Sequence, residues 1–401
     1  MQPDEATIMA TSAKPSAETL AITERLIAFP TVSRESNLDL IHWVEQRLRG
    51  QGAQCRLTYD EDRRKANLFA TIGPAVDGGI ILSGHSDVVP VDGQRWTTDP
   101  FTAQIRDDRL FGRGSADMKG FIAAALALVP RWLAADKAQP LHIALSYDEE
   151  VGCLGVRRML EDVTATGLHP RGCIVGEPTG MKLVAGHKGC AIHNCTVTGR
   201  AAHSSLAPQG VNAIEYAARL IVRLREMADR LVTEERHHDG FDIAHSTICT
   251  VMIGGGIATN IVPERCEFHF DIRHLPWTSA EAIVVELQAY ADETLLPQMR
   301  AVAPESAISF RQVADVPAFD IATDASLVAY ADALLASRGT PSYVGFGTEA
   351  GLFQKAGIPS VICGPGHIAQ AHKPDEYVAL DQLAACEVFL NAMLDRDLAV
   401  I

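Results

Sequence analysis

The chain has no long apolar run, no paired-cysteine motif and a shortage of positive charge, and each lack removes a class of protein. Its longest apolar stretch, Phe121 to Val129, is far shorter than the ~20 residues that a helix needs to cross a bilayer. That stretch reads as a buried helix. Nine cysteines are scattered without a CxxC pair, and their odd number speaks against a disulfide framework. A reducing, cytoplasmic compartment is the simpler expectation. Lys and Arg total 35 against 50 Asp and Glu, a formal net charge of −15. Nucleic acid and anionic membranes attract basic surfaces, so neither is an expected partner. Met1 to Glu18 is polar and contains Pro, Ala and Ser but no apolar core, so it reads as disordered rather than as a signal peptide. No repeat or low-complexity segment occurs.

What is present is an ordinary globular composition, 47% hydrophobic and 21% charged, over 401 residues. A chain of that length exceeds what one core usually fills, and two domains are expected. Helical spacing of apolar residues predicts helices over Glu18 to Phe29, stopped by Pro30, and over Leu38 to Leu48. Short buried strands follow at 67–71 and 79–84, then a helix over Met118 to Ala135 and strands at 141–146 and 172–176. Strands alternating with helices predict an α/β domain whose mostly parallel central sheet is flanked by helices. In such sheets ligands gather beyond the carboxyl ends of the strands.

The rhythm changes near Gly186. A strand at 191–198 precedes an amphipathic helix over Val211 to Leu231, with Ile214, Ala218, Ile221, Leu224 and Leu231 on one face. Strands at 247–253 and 264–273, a helix over Ser279 to Met299 and a strand at 307–313 complete the order βαββαβ. That is the order of a ferredoxin-like α+β domain. The expectation is an insertion at 187–313 into a domain made of 1–186 and 314–401.

Acid and imidazole side chains occur at five separated places: His85 with Asp87, Asp117, Asp148-Glu149-Glu150, Glu177 and His372. Most follow directly on a predicted strand. Each has an ordinary explanation by itself: a surface turn, an N-cap for the helix after Asp117, solvated acids, a loop histidine. Together they supply nitrogen and carboxylate ligands suited to a pair of zinc-like ions, with one carboxylate left over as a base. Asp87 could fix the ring of His85. Glu149 and Glu150 would face opposite ways in extended chain, so one can bind metal while the other addresses water.

The stretches GHSDVVP (84–90), GRGSADMKG (112–120), DEEVG (148–152), GEPT (176–179) and AHKPDEY (371–377) resemble the dinuclear zinc hydrolases of the aminoacylase, carboxypeptidase, desuccinylase and acetylornithine deacetylase family. The likeness runs from about residue 18 to the C-terminus. FPTVS (29–33), AGHKG (185–189) and GTEAGLF (347–353) are most similar to its acetylornithine deacetylase branch. The resemblance implies two Zn²⁺, with Co²⁺ able to substitute. Asp117 would bridge them, His85 and Glu177 would complete one site, and Glu150 and His372 the other. It implies Glu149 as base, Asp87 as support for His85, and His203 as the group that stabilises an oxyanion. Arg273 and Asn260 would hold a substrate carboxylate, for which a guanidinium is well shaped, the alternative being that Arg273 only pairs in the neighbourhood of Asp271 on a solvent face. Thr348 and Glu349 are set near the substrate, Glu349 either against a distal ammonium or as a core-loop acid. His187 and Lys188 carry no assigned role.

By the same resemblance the substrate is a small N-acyl amino acid, N2-acetyl-L-ornithine first, and the inserted domain is a lid through which a homodimer forms. Acetylcitrulline deacetylation, general aminoacylase or succinyl-diaminopimelate desuccinylase activity, and exopeptidase action are the neighbouring chemistries. A metal- or amino-acid-binding protein without turnover is the non-enzymatic alternative, against which the spare acid beside Glu150 argues.

Overall fold

The computed structural model describes residues 14–336 and 339–401. Up to residue 13, the segment expected to be disordered and free of a signal sequence lies outside the described residues. The chain forms two compact units. One comprises the chain up to Ala185 with Ile321–Pro341 and Phe353–Ile401; the other comprises Gly186–Asp320 with Ser342–Leu352. The expected insertion ended at residue 313. The structure carries its last strand to Val316 and adds the 342–352 segment, whose strand Ser342–Val344 pairs with the strand Val184–His187. Thr348 and Glu349, expected in the catalytic domain, therefore belong to the second unit.

The first unit is built on a sheet whose strands lie in the order Gln54–Tyr59, Ala66–Ile72, Leu141–Ser146, Ile80–His85, Gly172–Val175, Ser360–Ile362 and Val184–His187. The middle of the sheet is parallel: Ile80–His85 runs parallel to Leu141–Ser146 on one side and to Gly172–Val175 on the other. The flanking pairs are antiparallel. These central strands are buried at every residue, which is why they read as continuous apolar runs. Helices Ala17–Ile27, Leu38–Gly50, Gly120–Ala134 and Leu154–Thr164 cover the sheet. Ser16 caps the first, accepting from the Thr19 amide at 3.2 Å. No helix among the described residues is long and apolar enough to cross a membrane.

A small three-stranded sheet, Gln104–Arg106, Arg109–Phe111 and Tyr377–Ala379, has no counterpart in the sequence reading. Its strands are only three residues long, too short for any periodicity to register. Tyr377 pairs with Phe111, which ties the segment before Tyr377 to the glycine-rich segment after Phe111.

In the second unit the four-stranded sheet has the order Thr247–Gly255, Arg265–His274, Gly189–Thr198, Ala307–Val316, with every neighbour antiparallel. This is the ferredoxin-like topology. Arg265–His274 alternates buried and half-buried along its length after its first residue, as a one-sided strand must. Phe268, Phe270 and Ile272 meet Leu220, Leu224 and Met227 of the helix Ala213–Glu234 in one core. That helix is turned from its expected face: Ala213, Ala217 and Leu220 are buried, Ile214, Ile221 and Leu231 sit at the margin, and Ala218 is exposed. Leu224, also on the expected face, is buried, and the stripe runs from Ala213 through Ala217, Leu220 and Leu224 to Met227 and Ala228.

His142 shows how tightly the first sheet is closed. Its ring is fully buried, with Nε2 3.0 Å from the Gly78 carbonyl and Nδ1 3.0 Å from the Thr71 hydroxyl. A carbonyl only accepts, so Nε2 carries a hydrogen. Burial pulls its pKa from 6.5 to about 4. The unfolded ring takes up a proton below about pH 6.5, while the folded ring resists until about pH 4. Stability held by the neutral ring is thus complete above pH 6.5 and lost progressively as pH falls toward 4, by up to about 3 kcal/mol. Replacing His142→Gln should flatten part of the fall in urea-unfolding free energy over that interval; an unchanged slope would contradict the assignment.

Candidate metal centre

Three parallel strand ends deliver most of the site. His85 is the last residue of its strand and pairs in register with Ser146, after which the chain turns into Asp148-Glu149-Glu150. Ser83 pairs with Val175, two residues before Glu177. The ends therefore lie side by side, and their side chains meet. Gly176 leaves room for this: a side chain there would strike the ring of Phe121.

His85 is oriented by a backbone oxygen. Its Nδ1 lies 2.9 Å from the Asp87 carbonyl, which accepts and so fixes the hydrogen on Nδ1. Nε2 faces the acids, 3.0 Å from Asp117 Oδ1 and 3.9 Å from Glu177 Oε1. Asp87 thus steadies His85 through its main chain, and its carboxylate acts elsewhere. Oδ1 accepts the Glu149 amide at 3.1 Å, and Oδ2 accepts the Glu150 amide at 3.3 Å and the Ser33 hydroxyl at 2.7 Å. Asp87 Oδ1 also stands 3.7 Å from Nδ1, an ion-pair distance beyond hydrogen-bond reach.

Glu149 and Glu150 do not lie in extended chain. They open a turn in which the Gly152 and Cys153 amides both donate to the Glu149 carbonyl at 2.9 Å. The turn, rather than strand alternation, parts the two side chains. Glu150 Oε2 lies 3.0 Å from His372 Nε2. Glu149 receives the Cys153 thiol on Oε1 at 3.4 Å.

Asp117 does not cap the following helix, whose N-cap is Lys119. Its carboxylate is shared instead: Oδ1 is 3.0 Å from His85 Nε2 and Oδ2 is 3.3 Å from His372 Nε2. His372 adopts left-handed backbone at φ +63°, which costs a non-glycine residue roughly 1–3 kcal/mol. Ligand atoms of His85, Glu149 and Glu177, and of His85, Asp117 and Glu150, each lie within 4.8 Å of one another. This donor set fits a pair of divalent cations, with two imidazoles, several carboxylates and one carboxylate touching both imidazoles.

The charges confirm the strain of leaving such a cluster uncompensated. Burial, followed by the charges of Asp117 and Glu149, raises Glu177 well above the usual carboxylate range. Burial and Asp117 raise Glu150 as well. Burial would lower His85, but the Asp117 hydrogen bond and the charge of Glu149 hold it well above 6.5. Hydrogen bonds to Asp117 and Glu150 push His372 up to about 10.

The sequence reading missed Glu376. Its Oε1 accepts the Ala116 amide at 3.0 Å and the Asp117 amide at 3.2 Å, and its Oε2 meets Arg113 Nη1 at 2.7 Å. Both residues stand inside quoted motifs, and that placement was the only available signal. Nothing local shows that positions 113 and 376 meet.

In the second unit, His203 caps the turn Ser204–Gln209, its Nδ1 accepting the Ser205 amide at 3.2 Å. That leaves the hydrogen of the neutral ring on Nε2, and the ring is exposed. Asn260 lies beside it, its carbonyl accepting the Ser204 amide at 2.9 Å. Arg273 turns Nε to Asp271 Oδ2 at 2.9 Å. His269, on the same face, meets Asn194 at 3.1 Å and is structural. Thr348 is fully buried and its hydroxyl accepts the Ala350 amide at 3.1 Å, a helix-capping role. Glu349 is 1% exposed, so neither residue presents an open binding face. His187, unassigned from sequence, holds this segment: Nδ1 faces the Lys188 carbonyl and Nε2 accepts the Thr348 amide at 3.3 Å. Burial lowers its pKa to about 4, consistent with a neutral structural ring.

Comparison with known proteins places the chain. The model of Peptidase family M20/M25/M40 matches residues 81–396. The acetylornithine deacetylase of Aliivibrio salmonicida is 34% identical over 349 residues, covering 86% of this chain and 88% of that protein. That of Proteus mirabilis is 35% identical over 379 residues, covering 93% and 95%. Among solved structures, an M20 family metallo-carboxypeptidase from Sulfolobus solfataricus aligns with a TM-score of 0.76 at 18% identity, covering 94% of this chain and 99% of that one. The aminopeptidase PepT of Bacillus cereus aligns with a TM-score of 0.72 at 20% identity, covering 94% and 97%. The chain belongs to the M20/M25/M40 peptidase family. It is a hydrolase of the metal-dependent kind, and its closer curated likenesses include deacetylases.

Because metal must displace the protons on His85 and His372, zinc uptake by metal-free protein near pH 7 should release protons, and affinity should rise with pH. Calorimetric titration in buffers of different ionisation enthalpy reads this directly; a heat independent of the buffer would contradict the arrangement.

Proposed function

We propose that this hydrolase removes the acetyl group of N2-acetyl-L-ornithine, yielding acetate and L-ornithine, in the cytoplasm as a step of arginine biosynthesis. The observation that carries the chemistry is the Asp117 carboxylate, whose two oxygens touch the Nε2 atoms of His85 and His372. The substrate choice is supported by relatives named acetylornithine deacetylase, at 34% and 35% identity along most of the chain. Nine free cysteines support a reducing compartment.

In this reading Asp117 would be the ligand shared by two Zn²⁺, for which Co²⁺ could substitute. His85 and Glu177 would complete one site; Glu150 and His372 would complete the other. Ions held there supply Lewis acidity toward a carbonyl and lower the pKa of water. Glu149 takes the proton from the attacking water on a carboxylate oxygen and delivers it to the nitrogen of the departing amine. Asp87 holds the Glu149 and Glu150 amides and so keeps the turn that aims both acids. By family likeness, the Nε2–H of His203 stabilises the developing oxyanion, and Arg273 with Asn260 holds the substrate carboxylate.

Glu149→Gln should lower kcat by at least about 10²–10⁴ while bound metal, measured by mass spectrometry, stays near wild type; near-normal turnover would remove Glu149 from its role. A panel of N-acyl amino acids tests the substrate separately. Acetate release should be fastest with acetylornithine. Much faster cleavage of acetylcitrulline, of other N-acyl amino acids or of succinyl-diaminopimelate would move the assignment to that branch.

The second unit supports a further part of this reading, a homodimer formed through it. Thr247–Gly255 is an edge strand with Val251, Met252 and Ile253 each more than half exposed. An apolar, unpaired edge is ordinarily covered. Light scattering should give twice the mass of one chain; a monomer at micromolar concentration would count against it.

A further inference from the structure

We infer that Arg113, Glu376 and Gln94 are positioning residues that clamp Asp117 and His372 in place for the second cation; the inference rests on the two-metal reading above. The three residues form one continuous network. Glu376 Oε1 accepts the amides of Ala116 and Asp117, which pins the backbone of the shared carboxylate. Glu376 Oε2 pairs with Arg113 Nη1 at 2.7 Å, and both side chains are 1% exposed. Arg113 Nη1 also reaches the Lys373 carbonyl at 3.3 Å, and Nη2 donates to Gln94 Oε1 at 2.6 Å. Gln94 Nε2 then donates to the carbonyl of His372 at 3.0 Å.

The amide of Gln94 can point only one way. Its oxygen receives Arg113 and also the Trp96 indole at 3.1 Å, so its nitrogen must face His372. Trp96 in turn lies over the Arg113 guanidinium at 5.0 Å. The chain from Asp117 to His372 is therefore directional, buried at the Arg113–Glu376 pair and exposed where Gln94 meets His372.

Stability alone does not account for it. Desolvating an arginine and a glutamate together gains little, and well-packed apolar replacements of such pairs are often neutral or stabilising. What the network does fix is two backbone segments far apart in sequence, one of them left-handed at His372. His372 is 49% exposed at its side chain, so packing does not hold the ring. Its main-chain anchor is what sets where Nε2 lies relative to Asp117 and Glu150. Partners of this kind typically change metal affinity by 10–100-fold.

The test is calorimetric titration of the metal-free, full-length protein with Zn²⁺, alongside circular dichroism melting. Wild type should take two ions, and His372→Ala identifies the event that belongs to its half of the site. Gln94→Ala should weaken that same event roughly 10–100-fold and leave the other unchanged. The double variant Arg113→Met/Glu376→Met should weaken both, because it also frees the Asp117 backbone, and metal-free melting should fall because the Ala116 and Asp117 amides lose their acceptor. Either variant, folded and binding both ions with wild-type affinity, would overturn the clamp. Should the double variant fail to fold, Gln94→Ala decides alone. Wild type binding fewer than two ions would instead strike the two-metal reading, and this inference with it, a result the variants cannot mimic.

Discussion

Asp117 holds one carboxylate between two imidazoles inside a pocket otherwise lined with acids, and the rest of the first unit is arranged to keep it there. Its oxygens lie 3.0 and 3.3 Å from His85 and His372. Burial would raise the carboxyl, but hydrogen bonds from both rings outweigh it and hold the group below the usual carboxylate range. The same charge lifts the pKa of Glu150 and Glu177. A cluster of this sign is stable only with positive charge inside it, whether protons or cations, and the nitrogen and oxygen donors are those that zinc-like ions prefer.

The scaffold meets that demand with two devices of different range. Parallel strand ends bring His85, the acid turn and Glu177 together over short distances in the sheet, the place where open α/β sheets gather ligands. A pair of three-residue strands then brings His372 from near the C-terminus onto the Asp117 segment. The first device is rigid because every residue of those strands is buried. The second is a short ladder whose Leu110 and Val378 are fully buried, and beside it the buried Arg113–Glu376 pair and the left-handed turn at His372 occur.

Much of this was legible beforehand, and the failures have physical causes. Long elements with clear period, such as the strand Arg265–His274, were read nearly to their ends. The helix Ala213–Glu234 was found with its face partly turned: Leu224 is buried as expected, but Ala213, Ala217, Leu220 and Met227 share the core with it in place of Ile214, Ala218, Ile221 and Leu231. Asp87 was expected to support His85; it meets the ring through its carbonyl and holds the next turn through its carboxylate, a division that two residues of spacing cannot reveal. Thr348 and Glu349 were read as substrate contacts from their motif, yet a hydroxyl that caps a helix and an enclosed acid look no different in sequence from open ones.

The amino-acid order by itself determined the chemical kinds at stake: which acids and imidazoles exist, which follow strands, and the period that makes one unit α/β and the other βαββαβ. Those are local properties, set by side-chain type and spacing. Only the tertiary structure decided partnership, because a hydrogen bond or a shared carboxylate depends on distances between segments hundreds of residues apart. Asp117 with His372, and Arg113 with Glu376, are joined by strand register and burial, neither of which is carried by any single stretch of chain.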